Sequence, residues 1–211
     1  MIIETIPVGM LMCNCIIIGD EATKEAIVID PGDEVERISA LLDRHGLRVR
    51  AIVATHGHID HVGGIARLKE LTGAPAMMHE ADVPMYENVA LQAQWLGVPA
   101  PPVTKLDGYL RDAQALEFGG SKLEVTHTPG HSPGSVSFVV PQDVPLVFAG
   151  DTLFAGSIGR TDLWGGSMEQ ILRSIRTRLL PMPDDSIVLP GHGPRTTIGT
   201  ERASNPFLVE K

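Results

Sequence analysis

Three imidazoles and a carboxylate crowd into one short run, Thr55-His56-Gly57-His58-Ile59-Asp60-His61-Val62-Gly63-Gly64. Histidine is the commonest metal ligand, and His with Asp suits zinc or iron better than calcium or magnesium. Clustered imidazoles without a metal carry a charge cost that a metal removes. In an extended segment alternate residues share a face, so His56 and His58 project together, while Asp60 and His61 lie past the point where the chain turns. The spacing is too tight for four side chains on one ion and suggests two neighbouring metal positions fed by one loop. Thr55 shapes the entry to that loop, and Gly63 and Gly64 allow close backbone approach.

Three more candidates share one syntax, in which a strand ends, a glycine or proline turn follows, and a ligand-type side chain is displayed. They are Thr128-Pro129-Gly130-His131, Ala149-Gly150-Asp151 and Leu189-Pro190-Gly191-His192. Strand ends on a rigid scaffold are where sites are built. Five of the eight histidines then belong to one constellation. His45, just before the helix-stopping Gly46, suits a helix C-terminus. His127 reads as structural, and His79 caps or lines something the sequence does not specify. Asp30 ends a strand before Pro31 and either orients a ligand histidine or forms a turn. Arg160 either anchors a substrate carboxylate through a bidentate contact or stiffens its loop through a salt bridge to an acid such as Asp162.

The elements that must position these residues are legible as strands at Ile2 to Val8, Cys13 to Ile18 and Ala26 to Asp30. A helix capped by Asp33 then carries Val35, Ile38, Leu41 and Leu42 and closes at Gly46. The continuous apolar strand Val49 to Ala54 delivers the histidine loop. A helix through Ile65, Leu68 and Leu71 stops at Gly73, and Ala76 to Met78 is a short strand. Residues 80–96 read as helical material broken near Pro84, and residues 80–102 as a lid or a partner surface. The clearest later strands are Lys122 to Thr126, Ser135 to Val140, Leu146 to Ala149 and Ile187 to Leu189. Ser167 with Gln170 makes a capping box for a helix through Ile171, Leu172, Ile175 and Leu179. The order predicts an α+β fold of two sheets packed face to face with helices outside.

At 211 residues, 43% hydrophobic and 20% charged, the chain is expected to form a single domain, residues 1–211, with a real core. A net charge of -9 argues against a nucleic-acid partner held by phosphate neutralisation. The N-terminus lacks a basic region and no apolar run nears about 18 residues, so no signal peptide, no membrane span and a cytoplasmic location are expected. Cys13 and Cys15 share one face of a strand, too close in sequence for an easy disulfide, and read as buried thiols.

The run His56-x-His58-x-Asp60-His61, followed by His131, Asp151 and His192, resembles the metallo-β-lactamase superfamily over the whole chain. The resemblance implies a four-layer αβ/βα sandwich. It implies one metal site of His56, His58 and His131, a second of Asp60, His61 and His192, and Asp151 bridging both, with Asp60 and Asp151 as catalytic carboxylates. Asp151-Thr152-Leu153-Phe154 and Gly159-Arg160-Thr161-Asp162 are most similar to the compact, glyoxalase II-like (hydroxyacylglutathione hydrolase-like) bacterial hydrolases without the helical C-terminal domain. The implied cofactors are two divalent ions, zinc first, with iron or manganese as alternatives. The implied substrate is a small anionic acyl thioester, attacked by a metal-bridging hydroxide. Two such ions, two aspartates and a hydroxide leave a local charge of about +1, which favours an anionic acyl substrate. A thiolate departs unprotonated, which suits a site rich in ligands. The rival readings are a mononuclear iron persulfide dioxygenase of the same superfamily, using His56, His131 and Asp151 as a facial triad, and a lactonase or other ester hydrolase served by Tyr86 or Tyr109.

Overall fold

The computed structural model describes residues 1–209 and divides into two compact units, residues 1–110 with 117–121, and residues 111–116 with 122 onward. The first unit holds β1 (Ile2–Val8), β2 (Cys13–Gly19), β3 (Glu25–Ile29), α1 (Val35–His45), β4 (Arg48–Val53), α2 (Ile59–Val62), α3 (Ile65–Thr72), β5 (Ala76–His79), α4 (Val83–Glu87), α5 (Val89–Leu96) and β6 (Gly108–Leu110). Its strands form one mixed sheet in the order β1-β2-β3-β4-β5-β6. The first three pair antiparallel, and β3 to β6 pair parallel. Every residue of β2 is buried, as expected of a continuous apolar strand covered on both faces. Cys13 and Cys15 are both fully buried free thiols.

α1 turns Val35, Ile38 and Leu42 inward and stops at Gly46, whose left-handed φ of 64° only glycine adopts freely. Ile17, Val28, Ile52 and Leu68 share the core with that face. Because β3, β4 and β5 run parallel, their C-terminal ends share one sheet edge, and there the chain presents Asp30, the histidine loop and Asp82 in turn. Ligand sites gather at such edges.

The second unit holds β7 (Ala115–Phe118), β8 (Ser121–His127), β9 (Val136–Val140), β10 (Leu146–Gly150), β11 (Leu153–Phe154), β12 (Ser157–Ile158), α6 (Met168–Ser174), β13 (Ile187–Pro190), β14 (Thr196–Thr197) and α7 (Ile198–Ser204). Its main sheet has the order β14-β13-β10-β9-β8-β7. β10 runs parallel to β13 and antiparallel to β9, which is antiparallel to β8. The C-terminal ends of β8, β10 and β13 therefore share one edge, where His131, Asp151 and His192 follow. Ile171, Ile175, Leu179 and Ile198 close the core beneath it.

Two local expectations change and one helix is new. Helix α1 begins one residue later than a cap at Asp33 predicts: Glu34 is the capping position, in a left-handed conformation without a side-chain cap bond, and Asp33 Oδ1 accepts from the Glu34 amide. Pro84 does not break the 80–96 stretch but sits in the first turn of α4, where its missing N–H costs nothing; the interruption falls at Asn88. Helix α7 was not legible as a periodic run. Thr197 caps it by accepting from the Thr200 amide, and Ile198 is its buried anchor. Ser167 caps α6 as expected. Among the described residues, no helix is long and apolar enough to cross a membrane.

Candidate metal centre

In the first unit the chain leaves β4 after Val53 and enters α2 at Ile59, so the histidine loop is short and tethered at both ends, with Asp60 and His61 already on the helical turn. Asp30, 2% exposed and at a left-handed φ of 52°, is its hub. Its Oδ1 accepts from the Thr55 amide at 2.6 Å, and its Oδ2 accepts from the Thr55 hydroxyl at 2.7 Å and from His61 Nδ1 at 2.9 Å. With its proton given to Asp30, the Thr55 hydroxyl accepts from His56 Nδ1 at 3.0 Å. As acceptor, one buried carboxylate thus fixes the ring proton on Nδ1 of His61 directly and of His56 through Thr55, and leaves the lone pair of each ring on Nε2. The alternative reading of Asp30 as a mere turn-former is set aside by this network.

Those Nε2 atoms face further donors. His56 Nε2 lies 3.0 Å from His58 Nδ1, and His61 Nε2 lies 3.7 Å from Asp60 Oδ2. The backbone is pressed together to permit this. A Cβ on Gly32 would overlap the carbonyl of Asp60, and one on Gly64 would overlap that of Pro31. From outside the loop, buried Asp82 accepts from the Gly57 amide at 2.9 Å. Gln92 accepts from the Ile59 amide and donates to the Gly57 carbonyl. Asp82 and Gln92 lie in the stretch expected to be a lid or partner surface. Neither had a distinctive sequence signal: Asp82 follows Glu80 in a short acidic turn, and Gln92 is one of two glutamines in α5. Burial pushes the Cys13 thiol up to about 12 even though His61, 3.5 Å away, pulls it the other way.

In the second unit Asp151 stands between two histidines. Its Oδ2 is 3.6 Å from His131 Nε2 and its Oδ1 is 3.8 Å from His192 Nε2. These distances exceed hydrogen bonding. Tetrahedral bonds of ~2.0 to 2.2 Å put ligand atoms that share an ion about 3.3 to 3.6 Å apart, a range that the His131 contact meets at its upper end and the His192 contact just exceeds. His131 Nδ1 donates to the Arg160 carbonyl at 2.8 Å, which again puts the lone pair on Nε2, facing Asp151. Gly159 packs where a Cβ would overlap the Asp151 carbonyl, and Gly191 N–H donates to the Gly150 carbonyl at 2.8 Å. Beneath lies a buried hydroxyl chain, with Thr128 Oγ1 3.0 Å from Ser137 Oγ and 3.2 Å from Thr152 Oγ1.

Each group of donors is of the kind divalent transition ions take: imidazole nitrogens, with Nδ1 of His56, His61 and His131 held on the far side by an acceptor, and carboxylate oxygens. The remaining histidines have other work. His45 Nε2 pairs with Glu4 Oε1 at 2.7 Å at the end of α1, His79 Nδ1 accepts from the Ala81 amide, and His127 Nε2 donates to the Pro133 carbonyl. The Arg160 guanidinium is exposed and makes a bidentate pair with Asp162, at 2.7 and 2.8 Å, which holds the Asp162 carboxyl down at about 2. Tyr86 is buried and its hydroxyl accepts from the Thr104 amide, a structural role.

The pattern of the metallo-β-lactamase superfamily matches residues 8–192. Hydroxyacylglutathione hydrolase GloC of Haemophilus influenzae is 41% identical over 99% of both chains. Two solved structures are similar throughout. BLEG-1, a B3 metallo-β-lactamase, has a TM-score of 0.92 at 37% identity, covering 99% of this chain and 100% of its own. TTHA1623, in a di-iron-bound form, has a TM-score of 0.86 at 41% identity, covering 97% of this chain and 100% of its own. With its two mixed sheets and flanking helices, this chain has the α+β metallo-β-lactamase fold and belongs to the metallo-β-lactamase superfamily.

Proposed function

We propose that the chain is a metal-dependent hydrolase of small acyl thioesters of the hydroxyacylglutathione type. In this reading His56, His58 and His131 hold one divalent cation, Asp60, His61 and His192 hold a second, and Asp151 bridges them. The observation that carries it is Asp151, whose two oxygens are divided between two histidine nitrogens at 3.6 and 3.8 Å. A carboxylate whose oxygens served one hydrogen-bond donor would not be split this way. When bound, the cations supply Lewis acidity and a hydroxide nucleophile at neutral pH.

The chain's own residues set the conditions for that chemistry. Asp30 and the Arg160 carbonyl keep the ligand nitrogens deprotonated and aimed. The carboxylates of Asp60 and Asp151 reduce the charge of the two cations without cancelling it, so an anionic carbonyl substrate is drawn in. A thiolate leaves without a proton donor, which matches a centre whose ionisable groups are ligands or ligand supports. The full-length likeness to the Haemophilus hydroxyacylglutathione hydrolase supports the thioester as the bond cleaved, and the di-iron relative makes iron the alternative to zinc.

The test is elemental analysis of protein purified without added metal, with S-lactoylglutathione hydrolysis, a β-lactam assay and an oxygen electrode run in parallel. Two equivalents of zinc, iron or manganese per chain with thioester cleavage are expected. One iron per chain with oxygen uptake on glutathione persulfide would replace the hydrolase by a dioxygenase, and β-lactam opening without thioester cleavage would replace the substrate.

A further inference from the structure

A second feature of the first unit is a groove of about 470 Å³, inside the range of roughly 300 to 1,000 Å³ typical of small-molecule sites. Asp60 and Ile59 are among its lining residues, so it begins at the histidine loop. The turn between β1 and β2, with Met10 and Leu11, lines it, as does the segment 96–102 with Leu96, Val98 and its prolines. Met10 is 66% exposed, Leu11 41% and Leu96 39%. A hairpin tip in water is ordinarily polar, and clustered apolar side chains left in solvent mark a ligand groove. Thioether side chains adapt their shape to what they cover.

The charges at the rim narrow the occupant. Arg67 is the one basic residue of the lining, against Asp33, Glu34, Glu36 and Asp60. Arg67 is 2.8 Å from Glu70 and 3.7 Å from Glu36, and Glu34 is 2.6 Å from Arg37. A thiol carrier bearing carboxylates would meet acids and a guanidinium already engaged. An uncharged hydrocarbon meets methionine, leucine, valine and proline.

We propose that this groove receives the acyl chain of the thioester, so that the favoured substrates carry apolar acyl groups longer than lactoyl. The inference rests on the thioesterase reading and names its substrate class. The carrier's charged portion then lies outside the groove, and chain length becomes a specificity determinant set by the β1–β2 turn and segment 96–102.

The experiment measures kcat/KM of the metal-loaded enzyme for acetyl, butanoyl, hexanoyl and octanoyl thioesters of one thiol. A buried methylene is worth up to about fourfold, so a rise of at least about 50-fold from acetyl to octanoyl is expected. Met10→Asp with Leu11→Asp on one wall, and separately Ala100→Arg on the other, should each pull the octanoyl-to-acetyl ratio down at least about tenfold, with circular dichroism and melting curves unchanged. A flat length profile, or one that neither variant alters, overturns the groove and leaves the hydrolase standing. Should no thioester be cleaved, the hydrolase reading fails instead. Calorimetric titration with an S-octyl thioether then decides the groove alone: heat that the wall variants abolish supports it, and no heat overturns it.

Discussion

The two units supply ligand-type residues by different means. In the first, four candidates sit within one loop and the helical turn α2 that follows it, His56 and His58 before the helix and Asp60 and His61 inside it, and are oriented by side chains: Asp30 holds His61 directly and His56 through Thr55. In the second, three candidates come from three separate strand ends and are oriented by backbone. His131 is held by the Arg160 carbonyl, the turn bearing Asp151 packs on Gly159, and the Gly191 amide ties the His192 turn to the end of β10. A loop dense in ligands cannot space them by topology and needs a polar hub. Strand ends already spaced by a sheet need only close backbone packing. The first arrangement is therefore sensitive to chemistry at one buried carboxylate as well as to bulk at Gly32 and Gly64, and the second chiefly to bulk at a glycine.

Substitutions at the two arrangements break this contrast in different ways. Asp151→Ala removes a donor from both proposed ions, so activity should fall at least ~100-fold and bound metal should drop below two equivalents, given that losing mere supporting groups costs about 10- to 100-fold. Full turnover and two retained metals would refute the bridging role. Gly159→Ala tests the backbone half. Its Cβ must push the Asp151 turn or the His131 side chain, whose Cβ it would meet at 3.2 Å. A loss of about 100-fold in metal affinity is expected, read by chelator competition, with the sheet intact by circular dichroism. Unaltered affinity would mean that the turn yields freely and that packing there positions nothing.

How much of this the sequence disclosed follows the same division. His56, His58, Asp60 and His61 are visible because ligand-type residues at short spacing are rare without a reason, and the strand-end syntax exposes His131, Asp151 and His192. The bounds of the strands that were expected are legible to within a residue or two, since β2 and β10 are continuous apolar runs bracketed by turns, whereas two-residue strands such as β11, β12 and β14 are too short to show a period. The supports were not. A carbonyl acceptor such as that of Arg160 exists at every residue and has no sequence signature. Gln92 and Asp82 act across about 30 residues of chain on loop amides, and only the folded backbone brings those together. The Arg160 side chain drew attention that its carbonyl turned out to share.

Asp30→Asn is the corresponding test of the side-chain half. The amide keeps the shape and can still accept from the Thr55 N–H, but its NH₂ faces the Thr55 hydroxyl and His61 Nδ1, both donors in the native network. His61 would have to carry its proton on Nε2 and lose its lone pair toward the metal. Metal affinity should fall about 10- to 100-fold, with a smaller fall for Thr55→Val, which cuts only the branch to His56. Equal affinity in Asp30→Asn would show that the loop orients its histidines without the hub.

The smallest effect is expected where side chain and backbone of one residue can be separated. Arg160→Ala deletes an exposed guanidinium but keeps the carbonyl that accepts from His131. If backbone is what matters in the second unit, metal affinity should stay within about twofold of the native value. The Arg160–Asp162 pair does not confuse the measurement between pH 5 and 9. The Asp162 carboxyl is depressed to about 2, so what the pair contributes is fully present above the unfolded value near ~3.9 and is lost only as pH falls through about 2. A metal affinity that collapses would assign the orientation of His131 to the side-chain pair. A raised KM confined to carboxylate-bearing thioesters, with metal affinity preserved, would instead show the guanidinium leaving Asp162 for the substrate, the anchoring role that its sequence position suggested.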